Sequence, residues 1–199
     1  ALVNIDFEKR EIKKELSSLK IIRIGTSGSI QKNIPVDSFL ISEFATGFDS
    51  LLHFYKSDHI QYQDISDALI LHTNWSKNKS APYVVKSNSE LHKKMSSSKT
   101  HNGFTATNVG FYGPQGRILR LPIQDNELND KLATFNYKGI SITNLEMETA
   151  GIYGLAALLG HKAISMNAII ANRPNGNFSK NPKLTVERLI EYTLDKLVE

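Results

Sequence analysis

The 199 residues, 40% hydrophobic and 22% charged, fit one domain spanning 1–199 with a substantial core and exclude a disordered chain. No apolar run approaches the roughly 18 residues that span a bilayer, the charged opening A-L-V-N-I-D-F-E-K-R-E lacks the apolar stretch of a signal peptide, and the absence of cysteine removes disulfides, thiolate catalysis and cysteine-bound metal. The net charge of +4 and pI of 9.1 suit an anionic small ligand, while the mixing of bases with acids, as in K-K-E-L and V-E-R-L-I-E-Y, lacks the arginine-rich arm or aromatic-and-basic stripe of a nucleic-acid module.

In chain order, K-I-I-R-I-G-T at 20–26 is short and β-branched and predicts a strand running into a glycine-containing loop, T-S-G-S. V-D-S-F-L-I-S-E-F at 36–44, after Pro35, predicts another. The polar, lysine- and serine-rich stretch from Trp75 to Thr100 holds a strand at Y-V-V-K and a short helix at E-L-H-K-K-M. F-T-A-T-N-V-G-F-Y predicts a strand that ends in the turn G-P-Q-G. I-S-I-T-N-L is a further strand, followed by a helix from Glu148 to Leu159 whose Ala150, Gly151, Gly154 and Ala157 permit close packing. H-K-A-I-S-M-N-A-I-I-A-N predicts a buried strand. The tail from Leu184 to Val198 is an amphipathic helix with Leu184, Leu189, Ile190, Leu194 and Leu197 as its apolar residues. Strands alternating with helices predict an α/β layer fold with a mixed or largely parallel sheet, in which ligands collect where loops converge at strand ends.

Three such segments carry chemistry. Arg23-Ile24-Gly25-Thr26-Ser27-Gly28 offers a guanidinium, hydroxyls and backbone N–H groups, a kit for an oxyanion; it is neither a Walker loop nor a dinucleotide fingerprint, and taken alone it reads more readily as a plain turn with a surface arginine. Phe111-Tyr112-Gly113-Pro114-Gln115-Gly116-Arg117 places aromatic faces beside an amide that donates and accepts and a guanidinium that only donates. That set matches a heterocycle edge bearing carbonyl and N–H groups, or an aromatic anchor before an ordinary turn. Glu146 and Glu148, two apart on an extended segment, share a face and would repel unless a cation or several hydroxyls lay between them; the alternative is a pair of acids at a helix N-terminus. The six histidines are scattered, with no pair at metal-ligand spacing on one face.

R-I-G-T-S-G, F-Y-G-P-Q-G-R and N-L-E-M-E-T-A, in this order and followed by I-I-A-N-R, resemble the nucleoside phosphorylase superfamily, most closely its uridine phosphorylase branch. The resemblance covers nearly the whole chain from Ile21. It implies a three-layer fold with a central mixed β-sheet flanked by helices, and reversible phosphorolysis of a nucleoside to a free base and ribose 1-phosphate. No cofactor is implied beyond inorganic phosphate as co-substrate. By position, Arg23 and Thr26 would hold phosphate, with Thr26 also near the ribose. Ser27 and Gly28 would line the floor under base and ribose. Phe111 would pack on the base, Gln115 and Arg117 would read its carbonyl and N–H edge, and Arg173 would reach it through water. Met147 would lie under the sugar, Glu148 would accept from the ribose hydroxyls, and Glu146 would orient its neighbours. Arg23, Glu148 and Arg117 are the expected catalytic set.

Purine branches of that superfamily carry an acid after the late buried strand; Ile170-Ala171-Asn172-Arg173 has Asn172 there, and an amide is no general acid at neutral pH. Uridine is therefore the expected substrate, with a purine nucleoside phosphorylase, a nucleosidase or a catalytically incompetent nucleoside-binding or assembly subunit as alternatives. The G-P order in Y-G-P-Q-G-R departs from the commoner order of the uridine branch. The resemblance also implies sequence ahead of the Arg23 strand, including a glycine-and-arginine phosphate loop, which has no equivalent in the chain as given. A sheet so shortened would expose its edges. A cytoplasmic homo-oligomer, a dimer or assembly of dimers, binding nucleoside and phosphate but neither nucleic acid nor membrane, completes the expectation.

Overall fold

The computed structural model describes residues 2–199. Its elements are β1 (Ile5–Asp6), β2 (Glu11–Ile12), β3 (Lys20–Ser29), β4 (Phe39–Gly47), α1 (Gln63–Thr73), β5 (Tyr83–Lys86), α2 (Ser89–Met95), β6 (Thr100–Thr107), α3 (Leu128–Thr134), β7 (Asn136–Tyr137), β8 (Ile140–Glu146), α4 (Thr149–Leu158), β9 (Lys162–Asn172), β10 (Asn177–Phe178) and α5 (Pro182–Val198).

The central sheet is mixed and closes on itself. β3 runs parallel to β9 from Lys20 opposite Lys162 to Ser29 opposite Asn172, and its last two residues pair antiparallel with Leu145 and Asn144 of β8. β9 pairs with β4 through Phe39 opposite Ala168, β4 lies parallel to β6, and β6 to β8. The ring β3–β9–β4–β6–β8 pairs β3 along its length with β9 and, through Gly28 and Ser29, with β8, so the stretch from Lys20 to Ser27 that carries Arg23 has β9 as its strand neighbour and is not paired with β8. β5 and β10 extend the sheet outside the ring.

Helices cover the ring on separate sides, each with its own apolar cluster. α1 and α3 bring Ile65, Leu69, Leu128 and Leu132 against Phe44, Phe104 and Ile142. α4 packs Ala150, Tyr153 and Ala156 against Leu52, Tyr83 and Val85; a Cβ on Gly154 would lie 2.6 Å from Leu52, so the small residue permits the approach. α2 and α5 place Leu91, Met95 and Leu189 on Ile164 and Met166 of β9.

Two sequence expectations shift. T-S-G-S is not a loop but the second half of β3, because its backbone pairs with β9 throughout, with an irregularity only between Ser27 and Gly28. The strand expected over 104–112 ends at Thr107, and the one expected over 36–44 begins at Phe39, after Asp37 at φ 64°. The helices α1 and α3 lie outside the elements read from the sequence.

Candidate active site

Arg23 points inward from β3 and is held by four side chains. Its Nε and Nη2 donate to Glu148 Oε2 at 3.1 and 2.6 Å, Nη1 donates to Ser165 Oγ at 3.2 Å and Asn167 Oδ1 at 3.0 Å, and Nη2 lies 3.3 Å from Glu146 Oε2. The guanidinium lies across Gly25, where a Cβ would meet Cζ at 2.7 Å. That is a physical reason for glycine in the middle of a strand.

The two carboxylates differ. Glu146 ends β8 with its side chain 1% exposed, and it accepts from Thr107 Oγ1 at 2.6 Å, from the backbone N–H groups of Glu148 and Thr149, both at 2.9 Å, and from Thr149 Oγ1 at 2.8 Å. It thereby satisfies N–H groups at the start of α4, where an anion is favoured. Its lone pairs are occupied inside the protein by Thr107, by the groups that open α4 and by the guanidinium of Arg23, the cation that lies between the two carboxylates. Glu148 sits at the N-cap position of α4 with its side chain 55% exposed. Among the described residues Arg23 is its one side-chain partner, and the rest of the carboxylate faces outward.

The opposite wall is built from the turn after β6 and the end of β9. Gln115, only 4% exposed, receives Arg117 Nη1 at 2.8 Å and Arg173 Nη2 at 2.9 Å on its side-chain oxygen, and Arg173 Nη1 at 2.6 Å and Asn129 Nδ2 at 2.9 Å on its backbone oxygen. An amide oxygen that accepts two guanidinium groups must turn its N–H2 the other way, and Gln115 Nε2 has no protein partner among the described residues. Arg117 also lies over the Phe111 ring at 3.8 Å, a cation–π contact. Among the described residues neither arginine pairs with a carboxylate. Burial lowers both, and for Arg173 burial together with the Arg117 charge brings it down to about 10.

Both walls face one cleft of about 570 Å3, within the range of small-molecule sites. Every expected site residue lines it: Arg23, Thr26, Ser27, Gly28, Phe111, Gln115, Arg117, Glu146, Met147, Glu148 and Arg173. Phe111, Met147 and Thr26 are open to solvent, while Ser27 is buried on the floor. Asn172 also borders the cleft, but its amide is engaged by the backbone: Nδ2 donates to the carbonyls of Gln31 and Ile34 at 2.8 and 2.7 Å, and Oδ1 accepts from the Asn175 N–H at 3.0 Å. Ser165, Asn167, Thr107 and Thr149 were not expected. Ser165 and Asn167 had a signal, two polar residues at period two within an otherwise apolar strand, which marks a buried polar face. A larger cavity of about 950 Å3 lies beyond Tyr112, with Phe48, Trp75, Leu119 and Leu121 in its walls. It lacks the carboxylate–guanidinium pairing and the convergent amide of the smaller cleft, which makes the latter the candidate site.

Residues 3–196 match the family described as the Phosphorylase superfamily. The chain is similar to the DeoD-type purine nucleoside phosphorylase of Buchnera aphidicola subsp. Schizaphis graminum, 29% identical over 157 residues that make up 79% of this chain and 53% of that protein. It is similar to the uridine phosphorylase of Thermococcus kodakarensis, 26% identical over 80% of this chain and 50% of that one. The chain thus spans about half the length of these two relatives. In structure it resembles a nucleoside phosphorylase of Trypanosoma brucei, described as showing uridine phosphorylase activity, with a TM-score of 0.80 over 98% of this chain and 72% of that one at 22% identity.

Proposed function

The chain belongs to the phosphorylase superfamily, and on that premise we propose that its cleft carries out phosphorolysis of a pyrimidine nucleoside, uridine, to uracil and ribose 1-phosphate. The observation that carries this reading is the pairing across one cleft of Glu148, aligned by Arg23, with Gln115 flanked by Arg117 and Arg173. A phosphate oxygen attacks C1′ of the ribose, the bond from C1′ to the base nitrogen breaks, and its electron pair leaves with the base. Positive character grows on the sugar and negative character on the base. Glu148 and phosphate favour the first, and the two arginines, held in place before the reaction, favour the second. Phe111 and Met147 supply apolar contact at the open side of the cleft.

Uridine is preferred to a purine for two reasons. The polar wall around Gln115 matches an edge of carbonyl, N–H and carbonyl, and the amide of Asn172 is neutral and already hydrogen-bonded to backbone, which leaves a purine N7 without a proton source from that position. A second reading, a nucleoside-binding subunit without turnover, draws on the engagement of every nitrogen of Arg23 by protein acceptors. The reading carries with it a cytoplasmic homo-oligomer that takes nucleoside and phosphate without a further cofactor; among the described residues no helix is long and apolar enough to cross a membrane.

The test is base release from uridine, inosine and adenosine with and without phosphate. Phosphate-dependent uracil release is expected, with the purine nucleosides slower. Faster purine release reassigns the substrate, release without phosphate makes the chain a nucleosidase, and binding without release selects the second reading.

A further inference from the structure

We infer that Asn167, Ser42, Thr105 and Asn144 form a one-way hydrogen-bonded belt through the interior of the strand ring, which ties Arg23 to Ser27 and leaves the Ser27 hydroxyl as a donor to an oxygen of the nucleoside. The inference rests on the phosphorylase reading of the cleft. It assigns Ser27 a defined role and makes the four interior residues positioning residues.

Both ends of the belt line the same cleft, and its middle is out of reach of any ligand. Asn167, Ser42, Thr105 and Asn144 are each 0% exposed. They lie on β9, β4, β6 and β8, so the path crosses every strand of the ring before it returns to β3. Arg23 Nη1 donates to Asn167 Oδ1 at 3.0 Å, Asn167 Nδ2 meets Ser42 Oγ at 3.0 Å, Ser42 Oγ meets Thr105 Oγ1, Thr105 Oγ1 meets Asn144 Oδ1 at 2.9 Å, and Asn144 Nδ2 meets Ser27 Oγ at 3.0 Å.

Chemistry gives the belt a direction. A guanidinium cannot accept, so Asn167 must turn its oxygen to Arg23 and its N–H2 to Ser42. Ser42 therefore accepts from Asn167, and its own hydrogen goes to Thr105. Thr105 passes its hydrogen to Asn144 Oδ1, which also receives Thr143 Oγ1 at 2.8 Å. Asn144 is left donating to Ser27. Reversing Asn144 would make Thr105 donate back to Ser42 and strand the Ser42 hydrogen at a fully buried position, at the full cost of an unmade bond. In the direction given, the hydroxyl hydrogens of Ser42 and Thr105 are taken up inside the belt, and the hydroxyl hydrogen left over belongs to Ser27, at the cleft. A run of bonds polarised in one sense strengthens its members, and it starts from a cation.

The test cuts the belt where no ligand touches it. Thr105→Val keeps the shape and removes the hydroxyl, and Thr105→Ser keeps the hydroxyl. Thr105→Val is expected to raise the nucleoside KM by about tenfold, the worth of one hydrogen bond at the site, while the phosphate KM stays put and Thr105→Ser behaves as the parent. In the ligand-free protein, exchange of the Asn144 side-chain N–H2 protons, followed by NMR, should accelerate about tenfold in Thr105→Val and return to the parent rate in Thr105→Ser. Exchange unchanged by Thr105→Val, or equal losses in both variants, overturns the belt. A parent chain without phosphorolysis sinks the functional reading and leaves the exchange rates to judge the belt alone. Should Thr105→Val fail to fold, Ser27→Ala removes the terminal donor directly, and a nucleoside KM equal to the parent's would overturn the assignment.

Discussion

The two walls of the cleft handle charge in opposite ways. On the strand side, one guanidinium is surrounded by acceptors: two carboxylates, a hydroxyl and an amide oxygen. On the turn side, two guanidinium groups share a single amide and meet no acid. A buried cation is costly unless paired, so the strand side is complete without a ligand and the turn side is not. The difference teaches where each part of a ligand belongs. Something that competes with Arg23 for Glu148, such as a diol, fits the first wall, and something that gathers negative charge, such as a departing base, fits the second.

Breaking the turn side should have the largest effect. Arg117→Ala is expected to lower kcat on uridine by about 10²–10³-fold, the loss of one preorganised donor, with the far-ultraviolet circular dichroism unchanged because the side chain lies at the surface end of the wall. Near-full activity would show that the two cations do not act on the base. The strand side should respond differently. Glu148→Gln removes a charge-assisted partner of Arg23 and the acceptor proposed for the ribose, so nucleoside kcat/KM should fall about ten- to a hundredfold, while calorimetry should show phosphate alone binding more tightly, since the Arg23 donors are released. Weakened phosphate binding would contradict the competition. The smallest effect concerns support: Gly25→Ala forces the guanidinium off its seat, and about 1–3 kcal/mol of stability should be lost on a melt, as for an overpacked core. A variant as stable as the parent would mean that Arg23 swings freely.

Much of this was legible in residue order, and the reasons separate by wall. Strand β9 and helices α4 and α5 announced themselves through apolar run and 3.6-residue period, and the clustering of the site residues followed from loops converging at strand ends. The reading of G-T-S-G as a turn was wrong because glycine marks turns by local preference, whereas here Gly25 is needed for a guanidinium that arrives from two residues earlier on the same strand. Ring closure was illegible, since the pairing of β4 with β9 joins segments more than a hundred residues apart. So was the split between Glu146 and Glu148: spacing put them on one face, but only the turn into α4 shows that one is spent on backbone N–H groups and the other is free.

The central claim is that one pyrimidine nucleoside spans both walls of the smaller cleft. A crystal structure with uridine bound tests it most directly. The account predicts the base carbonyl and N–H edge against Gln115 and Arg117, with the ribose hydroxyls on Glu148. Uridine seated instead in the larger cavity between Trp75 and Tyr112, with Gln115 and Glu148 untouched, would contradict it.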